Sequence, residues 1–182
     1  MPKNLLCHDE KIQRIVACIV ECMTLMPEEE FAPEKPLTND AVDEDLDEYN
    51  DHYQLHITRQ AEITFDEMCV SAPDKMFVFL QQAVAKYLNP SNPPNYIIAG
   101  LNLLCCAGEG CAEQYKKDLK SIVNQILPFI YNEQMHPKVR YYALTAIGQM
   151  CTDFQNALVK QTMPDLAIAY SKALVVIFIT SY

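Results

Sequence analysis

Three acidic residues recur along the chain at almost equal intervals. Asp66 precedes Glu109 by 43 positions, and Glu109 precedes Asp153 by 44. Each stands near the end of an apolar pattern with helical period. If units of this length stack, the three carboxylates form a ladder that could receive the lysine ammonium groups of an extended peptide. Solvation of isolated acids is the competing interpretation, and Glu67 or Glu113 could replace a member of the ladder.

A second acidic feature is the stretch DEDLDEYND, which has no basic residue. The surrounding segment from Glu28 to Asp51 contains eleven acids and one base, so it carries the whole formal charge of −10 and the rest of the chain is neutral. Local acidity favours basic partners and disfavours direct binding of nucleic acid. The acids of the stretch are Asp43, Glu44, Asp45, Asp47, Glu48 and Asp51.

Three hypotheses compete for this stretch. A calcium loop requires glycine at its sixth position and glutamate at its twelfth, where this chain has Glu48 and Gln54, so we expect no metal site. A solvated insertion is the simplest hypothesis, since such a run cannot bury itself. The functional hypothesis is a loop that attracts a basic surface through a salt-sensitive interaction. The last two hypotheses are compatible.

The cysteines and glycines argue against an enzyme. A nucleophilic thiol needs a nearby base, and the four histidines form no catalytic motif. Cys18 and Cys22 lack the second ligand pair of a zinc site, and no glycine-rich phosphate loop is present. We therefore expect reduced thiols, no cofactor and no enzymatic activity. The thiols considered as nucleophiles are Cys105, Cys106, Cys111 and Cys151.

The chain carries no signal for secretion or for a membrane span. Its opening residues, MPKNLLCHDE, lack a long apolar region, and the apolar run from Ala173 to Ile179 is far shorter than the ~20 residues that cross a bilayer.

An internal repeat of about 40 residues organises the chain. AGEGC, ending at Cys111, aligns with IGQMC, ending at Cys151, and prolines are expected only where helices begin or stop. The periodicity predicts an all-α, HEAT-type solenoid of about four antiparallel helix pairs, as one domain over residues 1–182 with an acidic insertion at 27–52. A helical bundle is the alternative. Helices are predicted near residues 9–26, 53–71, 74–89, 95–112, 115–131, 137–152 and 156–178.

Two consecutive segments resemble repeats of the karyopherin-β nuclear import receptors, in particular the importin beta-3 branch. They are AGLNLLCCAGEGC and HPKVRYYALTAIGQMCTDF, and the resemblance extends over about residues 9–165, with the acidic stretch at the place of an acidic loop in the family. Family members have about twenty repeats, so this chain looks like a central fragment or a truncated product. The terminal ALVVIFITSY fits the family poorly.

The resemblance implies a receptor that binds basic cargo proteins with lysine-rich import signals. Such receptors shuttle between cytoplasm and nucleus, contact Phe-Gly nucleoporins and release cargo when the GTPase Ran binds in its GTP form. Asp66, Glu109 and Asp153 would then be cargo-binding, and the acidic loop would serve Ran or cargo. Arg140 is expected to bridge adjacent repeats or hold a neighbouring carboxylate, with substrate binding as the alternative. Tyr141 and Tyr142 are expected to pack with exposed hydroxyls, although aromatic side chains on a concave surface can also flank a lysine by cation–π contact. The alternative function is a cytosolic HEAT scaffold without a role in transport.

Overall fold

The computed structural model describes residues 9–26 and 57–180, and the regular structure in these ranges is entirely α-helical, as predicted. The stretch from Asp43 to Asp51 lies outside the described residues, so its roles stay predictions. The helices are α1 (Asp9–Thr24), α2 (Ile57–Ser71), α3 (Pro73–Tyr87), α4 (Pro94–Gly110), α5 (Ala112–Tyr131) and α6 (Pro137–Thr180).

Proline marks the beginning of three helices. Pro73, Pro94 and Pro137 are the first residues of α3, α4 and α6, where the N–H that proline lacks would have no partner within the helix. The expectation that no proline lies within a helix is wrong, because α5 contains Pro128 and α6 contains Pro164. Pro128 is tolerated in the last turn of α5, where its carbonyl accepts the N–H of Asn132 at 3.2 Å.

The helices form two layers of a HEAT-like solenoid, as predicted. Consecutive helices pair as α1 with α2, α3 with α4, and α5 with α6, while α2, α4 and α6 also pack side by side in one layer. We call this the inner layer. The outer layer consists of α1, α3 and α5. The backbones of α3 and α5 lie farther apart than those of the inner helices, and side chains such as Phe77 and Tyr115 bridge them. A stack whose layers are packed this unequally is curved, with the inner layer on its concave side.

The 44 residues of α6 cannot form one straight rod. The ammonium of Lys172 lies 4.9 Å from the centre of the Tyr131 ring. In a straight helix Lys172 would lie ~52 Å beyond Pro137, whereas the six steps from Tyr131 to Pro137 span at most ~21 Å. The side chains of Lys172 and Tyr131 are too short to bridge the remaining distance of about 30 Å. The helical chain must therefore bend back on itself.

The bend lies between Phe154 and Tyr170. The Phe154 ring stacks on Tyr115 of α5, with ring centres 5.4 Å apart, so α6 still follows α5 at that point. Burial and then the nearby Cys151 raise the pKa of Tyr170, although these two residues would be ~28 Å apart in a straight helix. Pro164 lies within this interval and disfavours a straight helix.

The bend explains the difference from the two helices predicted at 137–152 and 156–178. No non-helical residue separates them, yet the chain reverses as the prediction required. Lys172 and Tyr131 are 41 residues apart, which is one repeat. The returning segment, in which Leu166 is buried, therefore lies beside α5 as the first helix of a fourth unit.

Glycine allows the closest approach within the inner layer. A Cβ atom built on Gly110 would lie 2.6 Å from the backbone of Cys69 and Val70, so the end of α4 rests directly on the end of α2. Apolar side chains fill the space between the layers, and each of the larger ones contributes roughly 1.5–3 kcal/mol to folding. The core includes Phe65, Met76, Leu80, Ile98, Leu101, Leu104, Tyr115, Leu119, Val123, Ile126 and Ile147.

Candidate functional site

The three ladder acids line a single open groove on the inner layer. Asp66 comes from α2, Glu109 from α4 and Asp153 from α6, so each of three successive units contributes one carboxylate. The groove has a volume of about 270 Å³. We call it the acidic groove, and it is lined by Arg59, Glu62, Ile63, Asp66, Cys105, Cys106, Glu109, Gln149 and Asp153.

Close helix packing brings these acids together. A Cβ atom built on Gly108 would lie 2.7 Å from Oδ2 of Asp153, so the absence of a side chain on α4 makes room for a carboxylate from α6. Gln149, one turn earlier on α6, donates a 2.9 Å hydrogen bond from Nε2 to Oδ1 of Asp153. The side chain of Asp153 is thereby held at the groove while staying exposed to solvent.

Partial burial and mutual repulsion both raise the pKa values of acids in this groove. Partial burial raises the pKa of Asp66, and the neighbouring Glu109 and Glu67 raise it further, against the opposing effect of Arg59. The pKa of Asp153 is also raised, first by partial burial and then by Glu109, while the hydrogen bond from Gln149 acts in the opposite direction. The charge of Glu109 therefore raises the pKa of both other acids of the ladder. A cation bound there would relieve the repulsion.

A fourth carboxylate in the groove has a structural role. Only 8% of Glu62 is exposed, and it accepts hydrogen bonds from Nδ2 of Asn102 at 2.8 Å and from a guanidinium nitrogen of Arg59 at 3.1 Å. Its charge is already compensated. The sequence analysis missed this cluster, although the interval of 40 residues between Glu62 and Asn102, one repeat, was a signal for it.

The proposed substitutes for ladder members lie elsewhere. Glu113 is at the start of α5, where its carboxylate pairs with Lys116 at 2.7 Å and has its pKa lowered by that hydrogen bond. Glu67 is exposed on α2 and acts on the groove only through its charge on Asp66.

The three residues singled out in HPKVRYYA do not line the acidic groove. Arg140 is half-buried near the start of α6, and its predicted role as a bridge between repeats stays a prediction. Tyr141 is 63% exposed and meets the half-buried Tyr142 edge to face, with ring centres 5.5 Å apart.

The thiols in the groove are poor nucleophiles. Burial, Glu62 and Asp153 raise the pKa of Cys105 to about 12, and burial with Glu62 raises the pKa of Cys106 further. Both thiols stay protonated at neutral pH, and burial also raises the pKa of Cys151. Because thiolate is the reactive form, these three cysteines are unsuited to nucleophilic catalysis.

A second groove lies on the outer layer between α3 and α5, with a volume of about 200 Å³. Its floor is apolar and its rim is polar, with a 3.2 Å hydrogen bond from Gln81 to Asp118 across the gap. We call it the outer groove, and it is lined by Phe77, Leu80, Gln81, Val84, Ala85, Leu104, Asp118, Ser121, Ile122 and Gln125.

The described residues contain neither a metal-binding cluster nor a membrane-spanning helix. Among residues 9–26 and 57–180, no three His, Cys, Asp or Glu side chains are grouped so that they could hold a metal ion. Over the same ranges, none of the helices combines the length and the apolar character that crossing a bilayer requires.

Comparison with known proteins gives a likeness to an importin. No protein-family profile matches the chain. The chain is 26% identical over 129 residues to importin subunit beta-3 of Saccharomyces cerevisiae, a match that covers 71% of this chain and 11% of that relative. The chain thus spans about a ninth of the relative's length. At this distance the likeness supports an importin-like helical-repeat segment.

Proposed function

We propose that this chain is a segment of an importin-like transport receptor, and that its acidic groove binds lysine-rich import signals of cargo proteins. The observation that carries the proposal is the convergence of Asp66, Glu109 and Asp153, one from each of three successive units, on one groove. The likeness to an importin gives this convergence a biological context.

Lysine suits the groove for two physical reasons. An ammonium is a compact cation with three donors, so two or three carboxylates can surround it. Partial burial first, and the charge of Glu109 after it, raise the pKa values of Asp66 and Asp153, so a bound ammonium gains by offsetting the repulsion from Glu109. Arg59 is paired with Glu62 and compensates the charge of Asp66 only in part, since the pKa of Asp66 stays raised.

The remaining parts of the transport cycle belong to the whole receptor. In this proposal the receptor shuttles between cytoplasm and nucleus, passes the pore through weak contacts with Phe-Gly nucleoporins and releases cargo when Ran binds in its GTP form. In this proposal the apolar floor of the outer groove binds a phenylalanine side chain of the nucleoporin. The acidic loop, including Asp43 to Asp51, would attract Ran or cargo electrostatically before contact.

The test is fluorescence anisotropy of a labelled lysine-rich peptide, titrated with the chain over a series of salt concentrations. We expect binding that weakens with salt. The triple variant Asp66→Asn, Glu109→Gln, Asp153→Asn should lose about 30- to 100-fold in affinity, since each exposed ion pair contributes up to about 1 kcal/mol.

A matched control changes the same number of charges away from the groove. The variant Glu10→Gln, Asp118→Asn, Glu133→Gln should bind the peptide within about twofold of the unsubstituted chain, because these acids lie on other surfaces. Equal losses in the two variants would mean that net charge alone attracts the peptide. Circular dichroism of each variant verifies folding.

A HEAT scaffold without a role in transport is the alternative function. It would also bind partners on the inner layer, so peptide binding alone does not separate the two. Release of basic cargo by Ran in its GTP form, measured on the full-length parent, is expected for a receptor and not for a scaffold.

A further inference from the structure

Two buried thiols meet where the ends of α2 and α4 touch. Cys69 lies in the last turn of α2, Cys111 directly follows α4, and neither is exposed to solvent. The two thiols are near enough for each to shift the pKa of the other, and Sγ of Cys111 donates a 3.5 Å hydrogen bond to the carbonyl oxygen of Pro73, four residues beyond Cys69. The pair therefore joins two successive units through side chains 42 positions apart.

The backbone geometry at this point is unusually close. A Cβ atom built on Gly110 would lie 2.8 Å from Cβ of Cys69 and 2.6 Å from its carbonyl carbon. Cys111 is the next residue after Gly110, so its own side chain starts within a few ångströms of Cys69. A disulfide requires this kind of separation between the two backbones.

We propose that Cys69 and Cys111 form an oxidisable thiol pair, which a peroxide converts to a disulfide that ties the end of α2 to the end of α4. This inference goes beyond the proposed function and does not depend on it. It concerns how two successive units are held together, and it applies equally to a receptor and to a scaffold.

The reaction is balanced with peroxide as the two-electron oxidant. The Cys111 thiolate attacks one oxygen of hydrogen peroxide, the O–O bond breaks, and Cys111 sulfenic acid and hydroxide form. The sulfur of Cys69 then attacks the sulfenic sulfur, the S–S bond forms, and water leaves with the Cys69 proton. The two thiols together lose two electrons and two protons, and the peroxide becomes two molecules of water.

The local environment assigns the two steps to different cysteines. The interaction with Cys69 lowers the pKa of Cys111, although burial and Asp74 oppose this effect. The same interaction, followed by burial, raises the pKa of Cys69. In this proposal Cys111 attacks the peroxide first and Cys69 is the resolving thiol. Both are at helix ends, which open more readily than helix centres and admit a small oxidant.

The other described cysteines are arranged less favourably for this reaction. Cys105 and Cys106 are neighbours in sequence on α4, and their raised pKa values keep both protonated. Cys18 and Cys22 lie one turn apart on α1, and burial followed by the charge of Cys18 raises the pKa of Cys22.

The experiment treats the full chain with hydrogen peroxide, blocks remaining thiols with an alkylating agent and identifies cross-linked peptides by mass spectrometry. The expected product joins Cys69 to Cys111 and disappears after reduction. We also expect the Tm of the oxidised chain to rise by about 5–10 °C, because the new bond closes a loop of more than 40 residues.

Variants separate this bond from other oxidation. Cys69→Ala and Cys111→Ala should each abolish the rise in Tm, whereas Cys151→Ala, a half-buried thiol on α6, should retain it. Recovery of Cys69 and Cys111 in alkylated form after oxidation would overturn the proposal, as would a disulfide that joins either one to a third cysteine. Peptide mapping of the unsubstituted chain gives this answer even if a variant fails to fold.

Discussion

The same helical repeat forms an acidic groove on the inner layer of the stack and a groove with an apolar floor on the outer layer. On the inner layer, α2, α4 and α6 touch along their sides, and four carboxylates gather at one opening. On the outer layer, the backbones of α3 and α5 lie farther apart. The groove between them has an apolar floor that includes Phe77, Leu80 and Val84. The layers thus differ in both helix separation and chemistry.

The two grooves differ in how strongly they depend on the register between neighbouring helices. The acidic groove depends on register, because Gly108 and Gly110 must face neighbouring helices for three units to meet. The outer groove depends only on the apolar stripe of each helix, which persists when the helices separate. We therefore expect the chemistry of the inner layer to be far more sensitive to small changes in packing.

The largest expected effect comes from a methyl group at the contact between α2 and α4. Gly110→Ala should lower the free energy of unfolding by about 1–3 kcal/mol, since its Cβ would overlap backbone atoms that cannot rotate away. Gly148→Ala is the matched control, because a Cβ atom built there meets nothing within 4 Å. It should stabilise α6 by up to about 1 kcal/mol. Equal urea midpoints for the two variants would contradict the close contact.

A smaller loss of stability is expected at the buried carboxylate of the acidic groove. Glu62→Ala removes the acceptor of Asn102 and Arg59 and should cost about 1–2 kcal/mol in urea unfolding. Glu67→Ala, at an exposed site on the same helix, should stay within about 0.5 kcal/mol of the unsubstituted chain. If Glu62→Ala were equally harmless, the cluster would have no structural role.

A single charge change then compares the two grooves directly. Asp66→Asn should weaken binding of the lysine-rich peptide about fivefold, which is ~1 kcal/mol. Asp118→Asn, at the rim of the outer groove, should leave the affinity within about twofold. Anisotropy titrations at one salt concentration measure both. The proposed site would be wrong if the two variants lost affinity equally.

The smallest expected effect is a shift in pH dependence. Because the pKa values of Asp66 and Asp153 are raised in the folded chain, peptide affinity should begin to fall on acidification above the ordinary aspartate pKa of ~3.9. Acidification has the opposite effect on folding stability, which these two groups increase at low pH. Their contribution to stability is fully present below the unfolded pKa and is lost as pH rises through the raised folded values.

Two measurements test these signs. Titration of the peptide complex from about pH 7 to about pH 4 gives the first, and NMR of the two carboxyl carbons gives the pKa values directly. Aspartates that titrate at or below the ordinary value would show that the groove does not hold its acids in mutual repulsion.

Most helices could be predicted from the sequence because their signals are local. The apolar stripe of α3 and the prolines that begin α3 and α4 place these helices within three residues of their observed bounds. The continuous helix through residues 152–156 could not be predicted, since a reversal at a repeat boundary normally coincides with non-helical residues. In this chain Lys172 and Tyr131 show a reversal without such a break.

The candidate site was only partly predictable. The spacing of Asp66, Glu109 and Asp153 predicted that they would align, and in the structure they line one groove. The support from Asn102 to Glu62 was not predicted, because which face of a helix meets its neighbour is a property of packing and not of either helix alone.

The sequence by itself determined the helical class, the repeat of about 40 residues and the recurrence of acids at that interval, because period, turn residues and charge are local properties of the chain. Only the tertiary structure decided which acids face one another, which carboxylate is compensated and which thiols touch. Glu62 and Asp66 stand four residues apart on α2. Glu62 accepts a hydrogen bond from Asn102 of α4, whereas partial burial and then the charge of Glu109 raise the pKa of Asp66. That distinction depends on contacts between units, which form only when the units stack and their side chains exclude water.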